Sequence, residues 1–285
     1  MKRHKISIKQ SGERLDVVAT DWLNLTRSAA AKFIRSGEIL LNGLAVKPGE
    51  ITKPGDSISY QPVARRAANL RIPIIYQDDD IMVLDKPAGL VVHPTGQNNK
   101  ADTLVDFVIK HTSDPDRSRP GIIHRLDKDT SGLIIVARNL TAKTYMQRLF
   151  ASRAVQKEYL ALVKGVLPHD QAEINLPIAA GVGIKRTVQP GGRLATTDYQ
   201  VIKRYPAATL LRAWPKSGRT HQLRVHFAAI GHPIIGDNLY GSADIRLDRH
   251  FLHAHKLAFT GPNGNFIEVT SELPKALKDY LDTLE

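Results

Sequence analysis

The stretch His124-Arg125-Leu126-Asp127-Lys128-Asp129-Thr130-Ser131-Gly132 decides how the larger part of this chain is read. Apolar Gly121-Ile122-Ile123 precedes it and Gly132-Leu133-Ile134-Ile135-Val136-Ala137 follows. Both flanks are rich in β-branched residues and bounded by glycine, the pattern of short buried strands. Two carboxylates, two cations, a histidine and two hydroxyls are thus pinned between hydrophobic anchors. Such loops suit chemistry because the scaffold fixes their side chains. A solvated turn, with Asp129, Thr130 and Ser131 bonding their own backbone, is the structural alternative.

Outward from this stretch, the chain alternates strands and helices without a regular βαβ rhythm, which predicts an α+β fold on a mixed sheet. Ile74-Ile75-Tyr76 and Ile81-Met82-Val83-Leu84 form a hairpin across Gln77-Asp78-Asp79-Asp80. Consecutive aspartates at a turn point in different directions, so a solvated turn is preferred to a metal site. Thr103 to His111 reads as a short helix. Thr141 caps a second, with Tyr145, Met146, Leu149 and Phe150 on one side. Lys157 to Val163 reads as a strand, 168–195 as a basic loop rich in Gly and Pro, and 197–205 and 208–214 as strands. Thr220 caps a helix whose apolar face is Leu223, Phe227 and Ile230, and a last helix starts at Pro274.

The N-terminal part is organised differently. Leu15, Val18, Ala19 and Trp22 make the stripe of an amphipathic helix. A second helix runs from Ser28, as N-cap, to Arg35, with Gly37 as its stop. Ala30, Phe33 and Ile34 fall on one side of it, and Arg27, Lys32 and Arg35 on the other. Ile39-Leu40-Leu41 enters an Asn42-Gly43 turn, after which Val46 resumes the pairing, and Ser57 to Tyr60 is a last strand. The division is 1–60 for this small domain, 61–72 for a linker and 73–285 for the larger domain.

Charge and composition narrow the function. The 285 residues carry a net charge of +12. Residues 1–71 hold 13 Lys and Arg against 6 Asp and Glu, and the rest holds 27 against 22. The excess is therefore concentrated at the N-terminus, which favours a polyanionic partner, nucleic acid above all, over charge spread for solubility. No apolar run approaches the roughly 20 residues of a membrane span, and no secretory apolar core follows Met1-Lys2-Arg3-His4-Lys5. A cytoplasmic protein is expected. The absence of cysteine excludes disulfides, thiol nucleophiles and zinc-thiolate sites. No Walker loop, nucleophile elbow or Rossmann fingerprint is present. His221 and His226 lie on different faces of a helix, and His253 and His255 lack a third ligand nearby in sequence, so no metal is expected.

What remains is an aspartate in a cationic setting, with Arg125 and Lys128 beside Asp127 and Lys216-Ser217-Gly218-Arg219 at another helix start. An arginine-paired carboxylate keeps its charge when partly buried and can attack or stabilise a sugar carbon. Glycosidic-bond chemistry on RNA is the reading. On composition Asp129 is as good a candidate as Asp127.

Two resemblances sharpen this. Arg14-Leu15-Asp16, Arg27-Ser28, Gly37 and Leu41-Asn42-Gly43 resemble the S4-type RNA-binding domain over about residues 12–60. That resemblance implies an RNA face of Arg14, Arg27, Ser28, Lys32, Arg35 and Asn42. His124 to Gly132, Lys157-Glu158-Tyr159 and Lys216 to His226 resemble, in order, three motifs of the RluA family of pseudouridine synthases. Lys86-Pro87-Ala88-Gly89 and Gly236-Asp237-Asn238-Leu239-Tyr240-Gly241 fit as well. The branch that modifies large-subunit ribosomal RNA is the most similar.

The family resemblance implies a mainly antiparallel central sheet and an isomerisation of uridine to pseudouridine without a cofactor. The base detaches, rotates and rejoins through carbon 5. Asp127 would be the catalytic aspartate, chosen over Asp129 by the motif, and Arg219 its ion-pair partner. Arg125 would replace the flipped-out base in the stack. Tyr159 would lie against the uracil and help remove the carbon-5 proton, with Leu223 on the ring's other side. His124 and Lys157 would complete the substrate site. The expected partner is large-subunit ribosomal RNA or a ribosome-assembly intermediate, bound by a monomer. Transfer RNA as substrate, a non-catalytic assembly factor and a hydrolase releasing free uracil are the alternatives.

Overall fold

The computed structural model describes residues 2–23, 25–61, 70–93, 102–114, 116, 119–241, 243–244 and 246–284. Most of the expected linker, including Arg65 and Arg66, lies outside these residues.

Near the N-terminus, strand β1 (Lys2–Lys5) is followed by helices α1 (Leu15–Leu23) and α2 (Arg27–Arg35) and strands β2 (Ile39–Leu41) and β3 (Ser57–Tyr60). The strands make an antiparallel sheet of order β1-β3-β2. Leu15, Val18 and Ala19 of α1 meet Ala30, Phe33 and Ile34 of α2 and Ile39 and Ile58 of the sheet in one buried cluster. The cap of α2 is Thr26, which accepts from the Ala29 N–H, so the helix begins before Ser28. Such a cap is worth about 1 kcal/mol. Asn42 and Gly43 both take positive φ, 53° and 79°, as an Asn-Gly turn requires.

Val46 does not resume the pairing expected of it. Leu44 forms a single bridge to Leu41, and β2 pairs with β3 instead. The chain from Lys47 to Thr52 is used elsewhere: Pro48 and Glu50 carbonyls accept from the Asp16 and Leu15 N–H groups that open α1. Helix-end donors left without partners are costly, and this segment satisfies them.

From residue 74 onward the elements are β4 (Ile74–Gln77), β5 (Ile81–Lys86), α3 (Leu104–Val108), β6 (Ser131–Ala137), α4 (Leu140–Ala151), β7 (Gln156–Lys164), β8 (Gln171–Asn175), β9 (Ile178–Ala180), β10 (Arg186–Val188), β11 (Thr196–Tyr205), β12 (Ala208–Pro215), α5 (Gln222–Ala229), β13 (Leu252–Thr260), β14 (Phe266–Thr270) and α6 (Lys275–Asp282). The nine-stranded sheet has the order β4-β5-β6-β13-β7-β12-β11-β8, with β14 also on β13. Among the described strands only β6 and β13 pair in parallel, so the sheet is mixed and mainly antiparallel. Strand β6 is buried at every position, which is why its sequence is continuously apolar rather than alternating.

Several local expectations shift. Gly121 to Ile123 is no strand; Ile122 makes one bridge to Val136, and the Gly121 carbonyl accepts from Ala137 N–H. Helix α4 is capped by Asn139, which accepts from Ala142 N–H and is itself held by Asp80, so Thr141 lies inside the helix. The basic loop 168–195 contains β8, β9 and β10. They escape pattern reading because β8 is a polar edge strand with Ile174 as its one buried residue. Helix α5 is opened by His221 and not Thr220, and Ile230 is partly exposed beyond its end.

One row across the sheet positions the site. Gly132 on β6 pairs with Ala254 on β13, Ala254 with Tyr159 on β7, and Tyr159 with Ala213 on β12. Paired residues face the same way, so glycine and two alanines leave room beside the Tyr159 ring. Gly132 has φ +105°, and a Cβ there would sit 2.2 Å from the Ala254 carbonyl oxygen. No shift of a flexible side chain can relieve a clash with backbone. Gly132→Ala is therefore expected to lose about 3 kcal/mol or more, read as a lowered urea midpoint.

Candidate active site

Asp127 sits at the mouth of β6, in a turn closed by a bond from Thr130 N–H to its own carbonyl. Three long-range ties hold that turn. The buried Lys86 ammonium donates to the Pro87, Leu90 and Lys128 carbonyls at 2.9, 3.0 and 2.9 Å. Thr130 Oγ1 is 2.8 Å from His250 Nε2, and Ser131 Oγ is 2.8 Å from His253 Nδ1. His124 accepts from Ile135 N–H at 2.9 Å and stacks on Phe150. Burial, then the nearby Lys157 charge, pushes the His124 imidazole down to about 3. It is a neutral acceptor, and its ring serves to pin the loop as well as to line the site.

The carboxylate's ion pair is made by Arg224 rather than by Arg219. Arg224 Nη1 donates to Asp127 Oδ2 at 3.1 Å, while its Nε and Nη2 hold Asp237 bidentately at 2.7 and 2.9 Å. Arg219 instead lies in the loop ahead of α5 and donates from Nε to the Leu194 carbonyl at 3.4 Å. The difference is one of helix geometry: Arg224 belongs to the first turn of α5, directed at the start of β6, whereas Arg219 precedes the helix. Burial works against the Arg224 charge, but the Asp237 hydrogen bonds and charge, and then those of Asp127, more than offset it and raise its pKa. For Asp237, burial acts upward and the Arg224 bonds prevail, leaving its pKa lowered. Sequence reasoning missed Arg224 and Asp237 as a pair; the family-like Gly236-Asp237 segment was the available signal.

His124, Arg125, Asp127, Lys157, Tyr159, Arg219 and Leu223 nevertheless all line one cavity of about 410 Å³, together with Arg224. Leu223 is 5% exposed and shares a buried cluster with Phe227, against which Tyr159 also packs. Burial, and then the Asp127 charge, hold the Tyr159 phenol well above its ordinary pKa. The phenol therefore keeps its proton at neutral pH. Lys157 donates from Nζ to the Ser217 carbonyl at 3.3 Å. Burial, then Arg153, bring its ammonium down to about 8.

A second cleft, of about 610 Å³, opens beside the first and shares Ile123, His124 and Arg125 with it. Ser28, Lys32 and Arg35 of α2 line its other side. The remaining expected RNA-face residues are placed differently. Arg14 and Arg27 both hold the buried Asp16 carboxylate, at 3.0 and 3.2 Å. Asn42 spends both ends of its amide inside the turn, donating to Asp56 and accepting from Ser57 N–H. Among the described residues no cluster of three metal-ligating side chains occurs, and no helix is long and apolar enough to cross a membrane.

The fold and site thus join a carboxylate-centred cavity to a basic N-terminal module, the makings of an RNA-modifying enzyme. Residues 80–229 match the family described as RNA pseudouridylate synthase, and residues 13–58 match the S4 domain. Ribosomal large subunit pseudouridine synthase D of Xanthomonas campestris pv. campestris is 36% identical over 299 residues, covering 96% of this chain and 89% of that protein. The uncharacterized RNA pseudouridine synthase YlyB of Bacillus subtilis is 34% identical over 295 residues, 98% of this chain and 96% of the relative. Among solved structures, human RNA pseudouridylate synthase domain containing 4 superposes with a TM-score of 0.59 at 26% identity, over 74% of this chain and 92% of that one. The chain belongs to the RNA pseudouridylate synthase family. It is an isomerase that forms pseudouridine in RNA, and it carries an S4 domain ahead of the synthase fold.

Proposed function

We propose that this enzyme isomerises uridine in large-subunit ribosomal RNA and that Asp127 is the group that acts on the sugar. The observation that carries the second part is the Arg224–Asp127 contact inside a cavity bordered by Tyr159 and Leu223. Arg224 supplies a positive charge that does not titrate near neutral pH, fixed on one carboxylate oxygen, Oδ2, and leaving Oδ1 for the substrate. Tyr159 and Leu223 offer the apolar faces between which a planar base fits. Arg125, exposed at the junction of the two clefts, is placed to fill the gap that a flipped nucleotide leaves. The first part rests on relatives named for the large ribosomal subunit. In this reading residues 1–60 dock the RNA and residues 73–285 carry the chemistry.

Mapping pseudouridine in RNA from cells lacking the protein tests the substrate. Loss of the modification at a large-subunit position is expected; loss confined to transfer RNA would move the assignment there.

Two binding predictions accompany it. Lys32→Ala with Arg35→Ala is expected to weaken RNA binding and reduce its salt slope by about one unit per lost phosphate contact. An unchanged slope in titrations from low to high salt would remove α2 from the interface. Lys157 has a pKa depressed to about 8, so it is charged below that pH and neutral above it. Any phosphate attraction it supplies is present at pH 7 and lost as the pH rises through about 8. RNA affinity should therefore fall between neutral and alkaline pH, and Lys157→Arg should flatten that fall. A variant that follows the wild-type curve would exclude Lys157 from phosphate contact.

A further inference from the structure

His221 stands in a backbone conformation that few residues other than glycine adopt. At the N-cap of α5 it has φ 58° and ψ 20°, the left-handed region, and its side chain makes no capping bond. Strain of this kind persists where surrounding contacts enforce it, and it clusters at functional sites. The imidazole shows what those contacts are. Nδ1 lies 2.8 Å from the Tyr240 hydroxyl, and that hydroxyl accepts from the Arg186 backbone N–H on β10 at 2.9 Å. A phenol has one proton to give. Among the described residues its remaining hydrogen-bond neighbour is His221 Nδ1; donation there leaves the imidazole proton on Nε2, whereas a second acceptance by the phenol would put that proton on Nδ1. Nε2 faces Asp127 Oδ1 at 3.9 Å, while Oδ2 is taken by Arg224. The Tyr240 ring also lies beneath the Arg224 guanidinium, 5.1 Å from its carbon to the ring centroid.

We propose that Tyr240 and His221 are positioning residues for the isomerisation: Tyr240 fixes the His221 tautomer so that an N–H, not a lone pair, faces the oxygen of Asp127 that Arg224 leaves free. This rests on the reading of Asp127 as the reacting carboxylate. The opposite tautomer would set a lone pair against a negative oxygen and turn the carboxylate away. A doubly protonated ring would place a second cation there and blunt the carboxylate. The gap of 3.9 Å is too long for a hydrogen bond, and it can tighten when a nucleotide binds. Because the chain of bonds starts on the backbone of β10, the seating of the β9–β10 hairpin and its basic side chains is connected to the aim of Asp127.

The charged and titratable groups facing His221 are Asp127 ahead of β6, Arg224 on α5, Asp237 and Tyr240 on the segment after α5, and Arg186 on β10. Burial lowers the His221 pKa, and the Asp127 charge opposes it. Removing the Tyr240 hydroxyl leaves all the charged members of this set in place and takes away its bonds to His221 Nδ1 and to the Arg186 N–H; a backbone N–H does not titrate, so a shift of the acid limb reports the His221 bond.

The test is release of tritium from carbon 5 of uridine, in labelled RNA from cells lacking the protein. Tyr240→Phe is expected to lower kcat about ten- to a hundredfold, with KM within about twofold, and to move the acid limb of the pH profile upward by about one unit, as Nδ1 becomes free to take a proton. His221→Gly relieves the left-handed strain, so its melting temperature should hold or rise while kcat falls about a hundredfold. Should Tyr240→Phe fold poorly, His221→Gly carries the comparison. A Tyr240→Phe enzyme with unchanged kcat and acid limb, or a His221→Gly enzyme with full turnover, would overturn the proposal. Asp127→Asn in the same assay separates the two readings: if it is inert while both other variants are unaffected, only the His221–Tyr240 relay fails. Turnover by Asp127→Asn would remove the Asp127 reading and the relay with it.

Discussion

Arg224→Met is expected to be both unstable and inactive, a larger combined effect than any other single substitution in the cavity. Asp237 is buried, and its carboxylate is matched by the Arg224 fork at 2.7 and 2.9 Å. Methionine fills the space but leaves that carboxylate unpaired, which typically costs about 3–5 kcal/mol. Asp237 also accepts from the Leu239 and Tyr240 N–H groups, so the segment bearing Tyr240 loosens with it. On the catalytic side, loss of the guanidinium removes the preorganised charge at Asp127 Oδ2, an effect on the order of a thousandfold in kcat. Stability also becomes pH-dependent in a definite direction. With Arg224 present the Asp237 pKa is depressed, so the pair's contribution is complete above the ordinary carboxylate range and is lost as pH falls through the lowered value. In Arg224→Met that acid-side loss should disappear from the melting curve. Arg219→Met is the control: its side chain bonds one backbone carbonyl at 3.4 Å, and its removal should change stability by under about 1 kcal/mol. If the two variants exchanged these behaviours, the ion-pair assignment would be reversed.

That contrast also marks where the sequence was legible. Elements with a strong period were readable: the α1 and α2 stripes, the β4–β5 hairpin, the buried run of β6 and the Asn42-Gly43 turn are all local patterns imposed by burial or by backbone sterics. Of the seven cavity residues, Arg125, Asp127 and Arg219 stand out as a carboxylate in a cationic setting, but only the motifs choose Asp127 over Asp129 and single out Tyr159 and Leu223, which look like ordinary core by composition. Choosing between Arg219 and Arg224 needed three dimensions. The Arg224–Asp127 bond joins residues 97 apart in sequence, and Thr130–His250 joins residues 120 apart; no local pattern encodes such pairs. Helix caps were misread by one or two residues because Thr26 and Ser28, or Asn139 and Thr141, are equally good cappers by type. Backbone partners outside the helix settle which one serves. The S4 resemblance places Asn42 on the RNA face, and its bonds to Asp56 and Ser57 add a structural role that no local pattern shows.

Asp127→Asn changes one oxygen to nitrogen, keeps the side chain's shape and removes its charge. Stability should suffer little, because Arg224 retains its bidentate partner Asp237. RNA affinity should hold or rise slightly, since a negative charge is lost from a surface that meets phosphates. The chemistry should stop, because an amide can neither attack a sugar carbon nor stabilise positive charge on it. Comparable removals of a reacting group cost at least about 10⁴-fold. The most direct measurement is therefore tritium release from carbon 5 of uridine by Asp127→Asn, alongside RNA binding by the same preparation. Wild-type binding with no detectable release is the predicted result. Release within about tenfold of the wild-type rate would contradict the assignment of Asp127 as the group that reacts.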